Sequence, residues 1–174
     1  MIRLVACVVA LLPLAGCVTV EATLRPDGSG ILEMTYHASP DTTEFWERRQ
    51  YSSPHVHVDA VKIYESQRAV LRATVDDVTQ LRTAPGFQLV EIRRERDGDD
   101  ERLALRLSNP GPKPTPDDPA PWMRIGLTVP GRIRSASHDG VVAGDHVAWT
   151  VTRSEYARNA VTELTVRWRP ATSP

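Results

Sequence analysis

The sequence predicts an α+β fold: a mainly antiparallel β-sheet of about eight to ten strands in hairpins, with one or two short helices packed on one face. Three observations lead there. Apolar and polar residues alternate over short runs along most of the chain, the period of half-buried strands. Turn residues rich in Gly, Pro, Asp and Ser separate those runs at short intervals. Helical signals gather mainly in one stretch, Ser39 to Tyr51.

Val18 to Arg25 places Val18, Val20, Ala22 and Leu24 on one face and Thr19, Glu21, Thr23 and Arg25 on the other. Pro26-Asp27-Gly28-Ser29-Gly30 is turn chemistry, and Ile31 to His37 alternates again, so the two runs predict a hairpin. In Ser39 to Tyr51, Pro40 suits a first helical turn and Asp41 with Glu44 suggests a capping box. Glu44 and Arg48 form an i, i+4 pair, and Phe45, Trp46 and Arg49 mark the expected inner side. Ser52-Ser53-Pro54 ends the helix.

His55 to Tyr64 alternates with one phase slip near Ala60, then Glu65-Ser66-Gln67 turns into a strand over Arg68 to Val75. Asp76 or Asp77 caps a short helix through Leu81. Phe87 to Arg96 and Glu101 to Ser108 read as a hairpin around Asp97-Gly98, a type I′ signal. Asn109 to Pro121 holds six of the fourteen prolines, which excludes a helix or central strand and predicts a stiff extended loop. Strands follow at Trp122 to Val129, Arg132 to Ser137, His146 to Thr152 and Val161 to Trp168, with turns at Pro130-Gly131 and His138-Asp139-Gly140. Trp149 and Trp168 are expected to fill the core from adjacent strands, and Trp46 to staple the helix to the sheet.

The N-terminal segment predicts where this domain resides. Met1-Ile2-Arg3 is a short basic region, Leu4 to Leu12 an apolar run, and Leu14-Ala15-Gly16-Cys17 a lipobox, where a bacterial prolipoprotein is acylated on cysteine and cleaved just before it. The apolar run is too short for a ~30 Å bilayer core, which needs ~20 residues. Leu4-Val5-Ala6-Cys7 also fits the four-residue pattern, but no apolar run precedes it to hold it in the membrane. The expected organisation is a signal peptide at 1–16, one extracytoplasmic domain at 17–169 and a frayed tail at 170–174. Cys17 is the predicted lipidation site. Its acyl chains attach the protein to the cell membrane or outer membrane through a very short tether, because the first strand begins at the next residue.

Removing 16 of 174 residues leaves 158, enough for one domain with a proper core. Losing Arg3 leaves 20 Lys+Arg against 22 Asp+Glu, a net charge of −2 with no basic excess to suggest nucleic acid. Cys7 leaves with the signal and Cys17 is acylated, so no disulfide or thiolate metal site is expected.

The opening strand–Asp27-Gly28-Ser29-Gly30–strand hairpin directly after the lipobox resembles the LppM-like domain of bacterial envelope proteins. Leu127-Thr128-Val129-Pro130-Gly131, followed by Gly140, Gly144 and Val147-Ala148-Trp149, resembles its closing segment. The resemblance implies an α+β domain displayed outside the cytoplasm on a membrane, without an established reaction.

Several residue groups invite chemistry. His55, His57 and Asp59 share one strand face and could offer two imidazoles and a carboxylate to zinc or copper, but alternation explains them as a solvent face. Asp97, Asp99, Asp100 and Glu101 are rich in oxygen yet lack the spacing of a calcium loop, so they read as a solvated hairpin tip. His138-Asp139 and Asp145-His146 lack a partner nucleophile, since Ser29 sits in a glycine hairpin and Ser135 and Ser137 in a strand and turn rather than a nucleophile elbow. Trp46, Trp122, Trp149 and Trp168 could line a lipid or glycan groove, with the space between helix and sheet as its expected place. No catalytic, cofactor or metal residue is assigned. The sequence predicts a non-enzymatic envelope lipoprotein that binds a lipid, glycolipid or protein partner. The alternatives are a purely structural lipoprotein and a metal-dependent enzyme using His55 and His57.

Overall fold

A computed structural model describes residues 18–114 and 116–171; Cys17, the lipobox, the signal segment and residues 172–174 lie outside them. Two antiparallel hairpins build one side of the larger sheet, four of its seven strands. The first joins β1 (Val18–Leu24) to β2 (Gly30–His37), and the second joins β3 (Val56–Ile63) to β4 (Arg68–Val75). The other side comes from β7 (Pro121–Thr128), β9 (Val141–Ala143) and β10 (His146–Thr152). The order across the sheet is β3-β4-β2-β1-β7-β10-β9. The smaller sheet, β5-β6-β11-β8, is formed by β5 (Val90–Asp97), β6 (Asp100–Ser108), β8 (Gly131–Ala136) and β11 (Val161–Pro170). The described residues thus form eleven strands with few short helices, an α+β fold.

The strands arrange themselves as two facing sheets rather than the single sheet expected. The register explains the division of faces. Val20 pairs with Met34 and Ile125, and Ala22 with Leu32 and Leu127, so the alternating apolar positions of three strands line up on one side. Glu21, Glu33 and Arg124 fall on the other side. The β1–β7 pairing is parallel, in an otherwise antiparallel sheet. Leu103, Leu107, Leu164, Val166 and Trp168 of the smaller sheet meet Ile125, Leu127, Val147 and Trp149 of the larger one in a single buried cluster. Trp149 and Trp168 therefore face each other's sheets instead of occupying adjacent strands. Aromatic side chains of this size bury ~150–250 Å², which at ~25 cal/mol per Å² stabilises the fold by roughly 4–6 kcal/mol apiece.

The smaller sheet does not reach β3 and β4. A second cluster covers that side: Val58, Leu71 and Ala73 pack with Leu81, Ala84 and Phe87. Leu81 and Phe87 belong to two 3-10 helices, Val78–Thr83 and Pro85–Phe87, and Ala84 is the residue that joins them. Asp77 caps the first, its side chain accepting from Thr79 N at 2.9 Å, in accord with the sequence. Pro85 opens the second, so β5 begins at Val90 rather than near Phe87.

The first helix is shorter than expected. α1 spans Glu44–Tyr51, with Pro40 and Asp41 outside it, because Thr43 is the cap and its hydroxyl accepts from Trp46 N. Its buried residue is Glu47, whereas Phe45 is 66% and Trp46 54% exposed. The expected inner side is reversed because Glu47 and Tyr51, one turn apart, turn toward Tyr36. The helix sits against β3, and two of its side chains occupy that edge strand's backbone. Arg48 donates to Val58 O, and Glu44 accepts from Ile63 N at 3.3 Å. A helix lying on the edge in this way hinders its pairing with another chain.

Residues 153–160 carry no predicted element, yet Arg153–Arg158 forms α2, capped by the Thr152 hydroxyl accepting from Glu155 N at 3.2 Å. The short strand β9 is likewise unanticipated. At the β5–β6 hairpin φ is positive at Gly98 but not at Asp99, the pattern of a II′ turn rather than I′. The tail is less free than expected: Pro170 belongs to β11, and Ala171 N donates to Pro130 O at 3.2 Å.

Gly131 permits the β8–β11 pairing, since a Cβ there would lie 2.1 Å from the Arg169 carbonyl oxygen. Gly131→Ala should destabilise the protein by about 1–3 kcal/mol, the cost of forced overpacking. Gly126→Ala meets only the flexible end of Glu21 and should stay within ~0.5 kcal/mol of wild type. Urea unfolding of both variants measures the contrast.

Candidate functional site: an apolar slot between the sheets

The two buried clusters do not close completely on one another. Val20, Ala22, Val90 and Ile92 pack against both clusters yet remain only partly buried. A cavity of about 240 Å³ lies along this seam, lined by aliphatic and aromatic side chains. One wall is the inner face of β1, whose Val18, Val20, Ala22 and Leu24 all contribute. Six steps of ~3.3 Å make that wall about 20 Å long. Ile92 and Leu105, cross-strand neighbours in the smaller sheet, form the opposite wall. Phe87 and Tyr51 close the side that the smaller sheet leaves open.

Tyr51 also lines a second recess, of about 350 Å³, whose character differs. Its other walls include Tyr36, His37, Ser39, Thr42, Glu47 and Gln50. Tyr36 donates a hydrogen bond to Glu47, and Tyr51 meets Tyr36 edge-on with ring centroids 5.7 Å apart. Burial, reinforced by Glu47, pushes the Tyr36 phenol far above its ordinary value; burial also raises that of Tyr51. The Tyr36 phenol serves as a donor, and Tyr51 contributes ring surface toward Tyr36 and Phe87. An apolar slot thus adjoins a polar pocket, with one tyrosine in both walls.

The residues singled out in the sequence lie elsewhere. Cys17 lies outside the described residues. His55 precedes β3 in a turn, His57 Nε2 lies 3.0 Å from Asp76, and Asp59 accepts from the Thr74 hydroxyl at 2.9 Å. A bulge between Val58 and Ala60 interrupts the shared face. Among the described residues no group of three His, Cys, Asp or Glu side chains is placed to hold a metal. The acidic hairpin tip is not simply solvated. Asp100 is buried between Arg167 at 3.0 Å and Arg169 at 3.2 Å, which tie the tip to β11. His138 Nε2 lies 2.8 Å from Glu155 of α2, and His146 Nε2 3.5 Å from Glu21. The Ser137 hydroxyl accepts from Thr165 N and its carbonyl from the Trp149 indole, while the imidazole of the adjacent His138 is turned to Glu155.

The four tryptophans form no common groove. Trp149 and Trp168 are core, Trp122 stacks on Tyr156 with centroids 4.0 Å apart, and Trp46 is exposed on α1. The apolar space anticipated between helix and sheet lies between the two sheets, and the recess between α1 and β2 is polar. Sequence reading named neither Glu47 nor Tyr36, although their roles have a local trace: Thr43, Glu47 and Tyr51 recur at intervals of four. Compared with protein-family profiles, curated proteins and solved structures, the chain matches none, so the LppM-like resemblance rests on its own turn motifs.

The Tyr36–Glu47 bond carries an alkaline signature. Below the ordinary tyrosine value of 10.0 both states keep the phenol proton. Above it the unfolded chain ionises while the folded one does not, so stability falls as pH rises. Tyr36→Phe should reduce that fall between pH 9 and 11, a range bracketing the free phenol. It should also cost about 1–3 kcal/mol at neutral pH by leaving Glu47 without its donor. Denaturant unfolding across that range tests both.

Proposed function

We propose that this chain is a membrane-tethered lipoprotein of the bacterial envelope whose domain binds a lipid or glycolipid without catalysing a reaction. The observation that carries the reading is the apolar slot between the sheets, together with the polar recess that shares Tyr51 with it. A slot of about 240 Å³ exceeds the ~150 Å³ apolar cavity that takes up benzene and falls below the ~300–1,000 Å³ of ordinary drug-sized pockets. A slender hydrocarbon chain suits that size and the long wall of β1. The recess offers hydroxyl, amide, imidazole and carboxylate groups to a hydroxylated head. The lipobox ending at Cys17 supplies the tether, and Val18 enters β1 at the next residue.

Native mass spectrometry of the full-length protein, extracted in mild detergent, should show a lipid adduct that survives gentle activation. Ala22→Phe fills the middle of the slot and should lower adduct occupancy at least several-fold without lowering thermal stability. Consistent absence of adducts from the wild type would favour a purely structural lipoprotein instead. Saturating ligand at ~100 times Kd should add about 2.7 kcal/mol to wild-type stability and much less to that of Ala22→Phe.

The tether has a separate test. Cys17→Ser should leave the precursor unacylated and mislocalised, as judged by radiolabelled palmitate and membrane fractionation. Normal palmitate incorporation into this variant contradicts Cys17 as the anchor.

A further inference from the structure

We propose that the end of the sandwich at which the chain enters β1 is a membrane-docking face, with Phe45 and Trp46 of α1 entering the headgroup region of a bilayer. The proposal rests on the tethered-lipoprotein reading for its orientation, but not on a ligand in the slot.

The topology brings several segments to that end. Val18 pairs with Tyr36 and Met123, so β2 ends and β7 begins there. Gln67 O accepts from Ala38 N, which places the β3–β4 turn alongside. Ser108 N donates to Leu89 O, and Asn109 N to Ala160 O, which brings the starts of β5 and β11 together. α2 and the proline-rich loop join these to Pro121 and Thr152. Seven large apolar residues stand exposed among the described residues, and five belong to this end: Phe45, Trp46, Tyr64, Leu89 and Val161. The other two, Val141 and Val142, lie on edge strand β9, which pairs with the opposite half of β10.

The charges suit phosphate headgroups. Arg49 lies 5.5 Å over the Trp46 ring, and Lys62 and Arg68 lie 5.0 and 6.0 Å over Tyr64. An aromatic ring carrying a cation is the composition found where proteins meet the bilayer interface. Most carboxylates at this end are engaged. Glu44 accepts from Ile63 N, Glu47 from Tyr36, and Asp117 and Asp118 face Arg158 and Arg153 at 2.6 and 3.9 Å. Asp41 and Glu65 are also present. At the opposite end Asp97 and Asp99 face Arg167 and Arg169 at 3.4 and 3.7 Å, and Asp76 faces His57 at 3.0 Å. A chain that leaves β1 one residue before Val18 for an acylated Cys17 holds this face within reach of the lipid. Docking there also turns the polar recess, which Trp46 helps to line, toward the membrane.

The test uses the full-length protein reconstituted into vesicles of phosphatidylcholine and phosphatidylglycerol, with brominated phosphatidylcholine as quencher. Trp149 and Trp168 are buried and serve as background; Trp46 and Trp122 are the accessible indoles. Trp46→Phe, at an exposed position that does not endanger folding, should remove roughly half or more of the lipid-dependent quenching, since Trp residues settle at the interface. Phe45→Ser with Trp46→Ser should do the same, and Val141→Ser with Val142→Ser should leave quenching intact. Equal quenching in wild type and Trp46→Phe overturns the proposal, as does loss of quenching in the β9 variant. The intact mass of the same preparation reports acylation separately. Acylated protein whose Trp46 escapes quenching overturns the docking face alone. Quenched Trp46 in unacylated protein supports the face and overturns the anchor.

Discussion

The structure turns on a mismatch of widths. A seven-stranded sheet offers one apolar face, and a four-stranded sheet covers only part of it. Water must be excluded from the remainder, because each exposed aliphatic side chain forfeits ~1.5–3 kcal/mol of burial. The chain solves this with two 3-10 helices and the aromatic side chains of Phe87 and Tyr51. Two separate packing units therefore meet over β1, and the slot is the line along which they meet. Without the width mismatch the two clusters would merge into one close-packed interior of ordinary density.

The same constraint explains what α1 does. It is too short and too polar to cover a sheet; only Glu47 among its residues is buried. Its task is at the end and edge of the sheet. Arg48 and Glu44 satisfy the backbone of β3, while Glu47 and Tyr51 lock onto Tyr36. Because those contacts use the helix's polar side chains, its aromatic residues are left outward. The exposed Phe45–Trp46 pair is thus a consequence of how the helix is held, and it lies at the end where the chain enters β1. Slot, polar recess and aromatic face share residues: Tyr51 belongs to the first two, Trp46 to the last two.

Much of the fold was legible because its signals are local. The alternation of Val18 to Leu24 places those side chains on one face whatever lies beyond, since the pleat has a period of two. Asp77 was readable as a cap because a cap bonds within its own turn. Errors arose where a distant partner decides. Whether Phe45 or Glu47 points inward depends on the phenol of Tyr36, eleven residues from Glu47. Asp100 reads as a solvated tip until Arg167 and Arg169 arrive from the last strand. His55, His57 and Asp59 read as one strand face until Asp76 and Thr74 claim the last two separately.

The sequence by itself determined the strand content, the hairpins and the proline break, because each depends on the chemistry of neighbouring residues along the chain. Only the tertiary structure decided that the strands divide into two sheets and that Trp149 and Trp168 enter one core from opposite sheets. It also decided that the seam between two cores stays open. These outcomes depend on which strands pair and how widely each sheet extends, and alternation within a strand carries no information about its neighbours. The slot belongs to the assembled sheets, since its walls come from segments as far apart as Val20 and Leu105.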